Sequence, residues 1–339
     1  MAQTEITEPV PALDDIGRPL NFGWARSGCF VYDPGLVRAS HRNISESDRY
    51  VLVSESSLVF FEILDDGYLG YLFVSVVSLK DKNCFTHSRL TPFSLGSFAL
   101  PGNSESDSIK FRQKSILLNF ASMEGGVKII KADIPIPGHS LRGEVVLTPF
   151  PEAESLFTHM SWRGRGNSFS LSRRSPCYFA EGVIQFDNAE LVFTRGNGWG
   201  IFDWSRGVRP RSDLRFWAAG SGQVKGRQAG FTVGYNSADS ALGTENAFFL
   251  DGRLHKLEQV SFHIPSGNLE PWRFTSNDNR LEMTFTPHHD RDENHQMFFY
   301  SHKRRQMFGF FSGRVTLDDG SELGFNNIAG MTERRKSHL

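Results

Sequence analysis

Asp203-Trp204-Ser205-Arg206 and Glu245-Asn246 are the residues whose types and spacing point most directly to chemistry. Side chains alternate in direction along a strand. Trp204 and Arg206 therefore share one face, and Asp203 and Ser205 the other. An Asp in an apolar enclosure has its charged form disfavoured, so its pKa rises and it can serve as a general acid. Beside an indole it can protonate an alkene, with Trp204 as aromatic wall stabilising the resulting cation. Arg206 then orients the substrate electrostatically. The competing reading pairs Asp203 with Arg206 or Arg209 at a barrel rim, where it only positions strands. Glu245, if buried, needs a cationic partner, with Arg206 or Arg209 as candidates. It is either a second acid/base, with Asn246 orienting substrate or water, or half of an internal salt bridge. Two carboxylates, Asp203 and Glu245, also suit a glycosidase.

Other clusters are weaker. Trp217, with Trp199, Trp272 and Trp24, supplies either cavity wall or core. His288-His289-Asp290 with Asp292, Glu293 and His295 has a metal-like composition. It lacks the spacing of a known metal motif and follows Pro287, so it reads as a solvated loop, and no metal is assigned. Arg163, Arg165, Arg173 and Arg174 read as linker and strand-end charge rather than a phosphate patch. Gly196-Asn197-Gly198 and Gly220-Ser221-Gly222 do not open helices, so no nucleotide site follows. No cofactor is called for.

The elements that must position these groups are strands. The runs 50–64 and 68–79 are β-branched and aromatic and flank the turn Asp65-Asp66-Gly67, a hairpin signature. Similar runs follow to the end of the chain, divided by turns such as Leu250-Asp251-Gly252 and Leu317-Asp318-Asp319-Gly320. Helical periodicity is missing. Phe is abundant at 30 residues, against 7 Tyr and 6 Trp. This implies a Phe-packed β core, or rings lining an apolar cavity. The formal net charge of -1 offers no electrostatic case for nucleic acid. The 3 cysteines are far apart, which argues against a disulfide framework or zinc site and for free buried thiols. Neither a secretory signal nor a membrane span is legible, and the expected location is cytoplasmic.

The two halves of the chain echo one another. Ile134-Pro135 and Thr148-Pro149 have counterparts in Ile264-Pro265 and Thr286-Pro287, with an offset that drifts as loop insertions in a tandem duplication would make it. Residues 151–180 are rich in Gly, Ser and Arg, and the junction is placed near residues 160–180. The expected organisation is an arm over 1–20, one barrel over 21–165 and a second over 175–335. Gly200 to Gly252 is read as the cavity wall of the second.

Several segments carry a family resemblance: FGWARS, FDWSRGVRP, RFWAAG, GTENAFFLDGRLHKLEQVSF, EPWRF, FGFFSGRVTLDDG and IAGMTER. The chain resembles the domain-of-unknown-function family 2804. That family is remotely similar to the tandem-lipocalin group of carotenoid 1,2-hydratase, tocopherol cyclase and the AttH-like proteins. The resemblance implies an all-β fold of two tandem lipocalin-like antiparallel β-barrels and an isoprenoid-like or other apolar ligand. The leading expectation is a cofactor-independent enzyme that hydrates or cyclises a hydrophobic substrate by protonation. The alternatives are a non-enzymatic lipid-binding protein and a carbohydrate-active enzyme acting on a glycan.

Overall fold

A computed structural model describes residues 3–338, apart from 82, 107, 163–165, 237, 268 and 298–299. Three short strands open the chain: β1 (Val10–Pro11), β2 (Gly23–Ala25) and β3 (Phe30–Val31). Then come β4 (Ile44–Ser54), β5 (Ser57–Asp65), β6 (Leu69–Ser78), β7 (Asn83–Pro92), β8 (Ile109–Gln113), β9 (Ile116–Ser122), β10 (Lys128–Ile136) and β11 (His139–Pro149). They are followed by β12 (Leu156–Ser161), β13 (Phe169–Phe186), β14 (Ala189–Phe193) and β15 (Gly198–Val208). The last group is β16 (Ser212–Val224), β17 (Arg227–Asn236), β18 (Ala247–Leu250), β19 (Arg253–Lys256), β20 (Val260–His263), β21 (Trp272–Ser276), β22 (Leu281–Met297), β23 (Tyr300–Thr316) and β24 (Glu322–His338). Among the described residues there is no α-helix, and hence none long and apolar enough to cross a membrane.

Apart from a short parallel pair, β1 with β3, the strands form two curled antiparallel sheets with one circuit. The main path of the first runs β7-β6-β5-β4-β15-β13-β11-β10-β9-β8, and the second runs β19-β18-β17-β16-β24-β23-β22-β21-β20. In each, the first long strand pairs with the last: β4 with β15, and β16 with β24. Thr148-Pro149 in β11 and Thr286-Pro287 in β22 lie on strands that are both third along from this closure, as a duplication requires. The Ile-Pro echo is not equivalent, because Ile134-Pro135 is in β10 while Ile264-Pro265 follows β20. The hairpin turns form where the sequence placed them. Between β18 and β19, Asp251 and Gly252 both have positive φ (50° and 78°). Asp-Gly is suited to such a turn because both residues tolerate the left-handed region.

The chain passes between sheets later than expected. Strands β4 to β15, ending at Val208, belong to the first sheet, and Ser212 begins the second. The segment near 160–180 lies in β12 and β13 of the first sheet, and Arg163 and Arg165 lie outside the described residues. Gly200 to Gly252 is correspondingly divided, with β15 in one sheet and β16 to β18 in the other. Residues 3–20 are tied to the body and do not form a free arm. Ile6 N donates to Trp24 O, Thr4 N donates to Leu242 O, and Ala12 and Leu13 are buried. The His288–His295 segment is part of strand β22 and not a loop. Its residues are polar on both faces, so no hydrophobic alternation announced it.

Each sheet wraps an apolar core. The first holds Tyr50, Phe61, Phe120, Phe202 and Trp204, and the second holds Phe231, Phe248, Phe274, Phe285 and Phe311. A third cluster joins them. Val51, Phe60 and Phe73 on the outer faces of β4 to β6 meet Trp217, Phe308 and Met331 of the second sheet. Strands buried on both faces read as continuous apolar runs, which is how residues 50–64 and 68–79 look. Cys29, Cys84 and Cys177 are free thiols, the first and last buried and Cys84 exposed.

Candidate functional site

The apolar layer between the sheets encloses a chain of ion pairs. Glu62 on β5, Arg49 on β4, Asp203 on β15 and Arg174 on β13 are direct cross-strand neighbours, so charge alternates along one row. All four side chains are at most 1% exposed. The second sheet adds Arg304 on β23 and Glu333 on β24. Glu62 pairs with Arg49 through one oxygen and with Arg304 through the other. Glu333 accepts from Arg304 Nε at 2.7 Å and faces Arg49 Nη1 at 3.3 Å. Two carboxylates and two guanidiniums thus close a ring across the sheets. Burial opposes ionisation of Glu333, but Arg304 and Arg49 outweigh it and hold its pKa well below the usual range. The Trp217 ring packs beside the guanidiniums of Arg49 and Arg174 at 5.8 and 5.7 Å.

From this ring the pairs lead outward. Asp203 Oδ2 is 3.8 Å from Arg49 Nη1, and Asp203 Oδ1 accepts from Arg174 Nη1. Arg174 Nη2 donates to Glu245 Oε1 at 2.8 Å. Arg215 on β16 donates to both Glu245 oxygens at 3.0 and 3.1 Å, and Ser172 donates to Oε1 at 3.2 Å. Glu245 ends the network at the wall of a cavity of about 350 Å³. Its apolar lining includes Phe216, Val260, Phe262, Ile264 and Met160. Asn236, Ser240, Thr244 and Gln259 supply polar groups. Glu245 is the only carboxylate among the described lining residues. Gly234 faces it, and a Cβ there would lie 2.9 Å from Oε2, so the glycine keeps that oxygen clear.

Burial pushes the Asp203 carboxyl up to about 6; Glu245 and Glu333 add to this, while Arg174 and Arg49 oppose it. The sign of the stability effect follows from this. The folded state binds the proton more tightly than the unfolded chain, so stability from this group falls as pH rises from about 4 through about 6. Asp203→Asn removes that dependence. Between pH 4 and 7, the stability of the variant relative to the native chain should shift in the variant's favour by about 2–3 kcal/mol. Urea denaturation at the two pH values measures this, and an unchanged or opposite difference would contradict it.

The residues singled out in the sequence fall in three places. Glu245 and Asn246 line the cavity. The Asn246 amide is taken up in holding the wall, accepting from Gly234 N at 2.7 Å and donating to Glu258 O at 2.7 Å. Asp203 and Trp217 are sealed between the sheets, and Trp217 Nε1 donates to Thr232. Trp204 and Arg206 do share a face, but it is the interior of the first sheet. There Arg206 lies over the Trp204 ring and donates to Asp48 at 2.7 Å. Arg209 pairs with Asp66 at 3.2 Å. Neither Arg206 nor Arg209 reaches Glu245 or Asp203. The partners are Arg174 and Arg215 for Glu245, and Arg174 and Arg49 for Asp203. Register decides this: Arg174 is opposite Asp203 across two strands, whereas Arg206 points to the other face. Trp24, Trp199 and Trp272 are buried away from the cavity.

Arg174, Arg215, Arg49, Glu62, Arg304 and Glu333 carried no role in the sequence. One signal existed. Arg215 and Trp217 are two apart on a strand, so they share a face. Arg173-Arg174 lay in a segment that resembled linker.

Two successive antiparallel meanders, each joined first strand to last and packed back to back, define a tandem lipocalin-type fold. The chain belongs to the family described as Domain of unknown function (DUF2804), which it matches over residues 3–339. Among solved structures it is similar to CghA with Sch210972, at 9% identity and a TM-score of 0.57 over 88% of this chain and 89% of that one. It is also similar to an AttH-like protein from Nitrosomonas europaea, at 13% identity and a TM-score of 0.52 over 87% and 93%. Kievitone hydratase from Nectria haematococca follows at 8% identity and a TM-score of 0.45 over 86% and 88%. The first two likenesses establish the fold. No curated protein matches the sequence.

Proposed function

We propose that the protein is a cofactor-independent enzyme that takes a small, largely apolar molecule into the cavity beside Phe216 and Phe262. Glu245 moves a proton there during hydration or cyclisation. The observation that carries this is the placement of one buried carboxylate, held by two guanidiniums and a serine, in the wall of an apolar-lined cavity. Glu245 Oε1 is saturated by Ser172, Arg174 and Arg215, whereas among the described residues Oε2 accepts only from Arg215. Oε2 is therefore the oxygen with capacity for a proton from water or substrate. In a hydration it takes a proton as water oxygen bonds to a polarised double bond, and the proton returns to the neighbouring carbon. In a cyclisation it removes a proton at one atom and returns it at another. Both directions need a general base that is fixed within hydrogen-bond reach. Asp203 does not line the cavity. Its role in this reading is positioning, through the Arg174 it shares with Glu245. CghA, of the same fold, has been solved with the small molecule Sch210972.

A carrier using the same cavity is the second reading, favoured by the full set of ion pairs on Glu245. A glycosidase reading needs two carboxylates facing one cavity, and the described lining supplies one. Native mass spectrometry of the purified chain, followed by extraction, tests the apolar occupant. A bound apolar small molecule in one-to-one ratio is expected, and Phe262→Asp should empty the site. A protein that comes out empty, binds no apolar compound and is stabilised by oligosaccharides would move the glycan reading to the front.

A further inference from the structure

A second cavity, of about 200 Å³, lies at the first sheet, beside the β9–β10 turn and the β11–β12 connection. Its distinguishing group is Arg173 on β13. Six arginines are buried among the described residues: Arg49, Arg173, Arg174, Arg206, Arg215 and Arg304. Five of them pair with carboxylates. Arg173, 8% exposed, does not. Its Nε donates to Ser155 and Ser175 hydroxyls at 3.3 and 3.2 Å, and Nη1 donates to Ser104 O at 3.3 Å. Nη2 makes no hydrogen bond to the described residues. A buried cation with no counter-charge is costly. The serines and carbonyl satisfy Nε and Nη1, and the rings of Phe157 and Phe202 flank the guanidinium at 5.3 and 5.6 Å, but none of these carries a negative charge.

The same cavity holds a second unpartnered donor. Tyr178 is 2% exposed and lines the cavity, and its hydroxyl has no hydrogen-bond partner among the described residues. Two carboxylates, Glu152 and Glu154, also line the cavity, but neither pairs with Arg173. Glu154 accepts from Leu254 N at 2.6 Å and Arg26 at 3.2 Å, and Glu152 is exposed. The wall is mixed, with Pro149, Phe150 and Ala153 supplying its apolar part. With Glu154 taken up by Arg26 and Leu254 and Glu152 turned to solvent, the guanidinium without a carboxylate partner and the free phenol suit one carboxylate, and the apolar part of the wall suits a hydrocarbon body. We infer that this cavity is a binding site for a small organic carboxylate, one oxygen on Arg173 Nη2 and the other on the Tyr178 hydroxyl. The site is separate from the cavity at Glu245 and does not depend on the reaction proposed there.

Benzoate and its neutral isostere benzamide test it by isothermal titration on the full chain. Benzoate is expected to bind about tenfold or more tightly than benzamide, the worth of a charged hydrogen bond in a buried site. Arg173→Met should abolish that preference. Tyr178→Phe keeps the ring packing and should weaken benzoate by about threefold to tenfold, so it decides the matter even if the arginine variant does not fold. The assignment is overturned if the native chain binds neither probe, if it binds both equally, or if Tyr178→Phe binds benzoate as tightly as the native chain.

Discussion

Arg49→Met should lower the free energy of unfolding by about 3–5 kcal/mol, the usual cost of removing one partner from a buried ion pair. Arg49 touches three carboxylates. Glu62 pairs with its Nε, Glu333 lies 3.3 Å from Nη1, and Asp203 lies 3.8 Å from the same nitrogen. Burial works against its charge, but Glu333, Glu62 and Asp203 together raise its pKa further above the ordinary value. Methionine fills much of the volume beside Trp217 and carries no charge, so the loss reports the electrostatics and not a large cavity. The carboxylates left behind still have Arg304 and Arg174, but three negative groups then share two cations. Adding Glu62→Gln to Arg49→Met removes one of those negative charges. The double variant should be more stable than the sum of the two single losses predicts. Chemical denaturation followed by circular dichroism measures all three. A loss below about 1 kcal/mol for Arg49→Met would mean that the pairs behave as solvated surface bridges.

Glu245→Gln should keep the ligand and lose turnover by about 10²–10⁴-fold, the range for a positioned general base. Glutamine has the same shape and can still accept from Arg174 and Arg215 through its amide oxygen. It has no carboxylate to take a proton. Ligand affinity should therefore stay within about threefold, since the apolar contacts with Phe216, Phe262 and Val260 are untouched. The compound recovered from the purified protein is the substrate or product to assay. If the variant turns over within tenfold of the native chain, Glu245 is not the base. If neither protein converts the compound and both bind it equally, the carrier reading stands. The contrast with Asp203→Asn is informative. Asp203 acts on Glu245 only through Arg174, so its loss should change rate less than the loss of Glu245 and chiefly alter stability.

Much of the architecture was written in local pattern. Asp65-Asp66-Gly67 and Asp251-Gly252 announced their hairpins because such turns demand residues that tolerate unusual backbone angles. The β-branched and aromatic runs 50–64 and 68–79 announced the strands of a hairpin, while their burial on both faces came from the packing of the second sheet on the first. Period two alone separated Asp203 from Trp204 and Arg206, and the structure keeps that separation. Glu245 stood out because a carboxylate amid apolar strands must find a partner. The identity of that partner was not local information. Arg174, Asp203, Arg49 and Glu62 come from four strands distant in sequence, and only sheet register makes them neighbours. Taken singly, an arginine in a Ser-rich segment reads as exposed, and a polar strand such as His288–His295 reads as loop. Charge is buried only where a counter-charge arrives from another strand. Local pattern thus set the strands, their turns and which faces their side chains share. The packing of one sheet on the other decided which cations meet which carboxylates and where a cavity opens beside one of them.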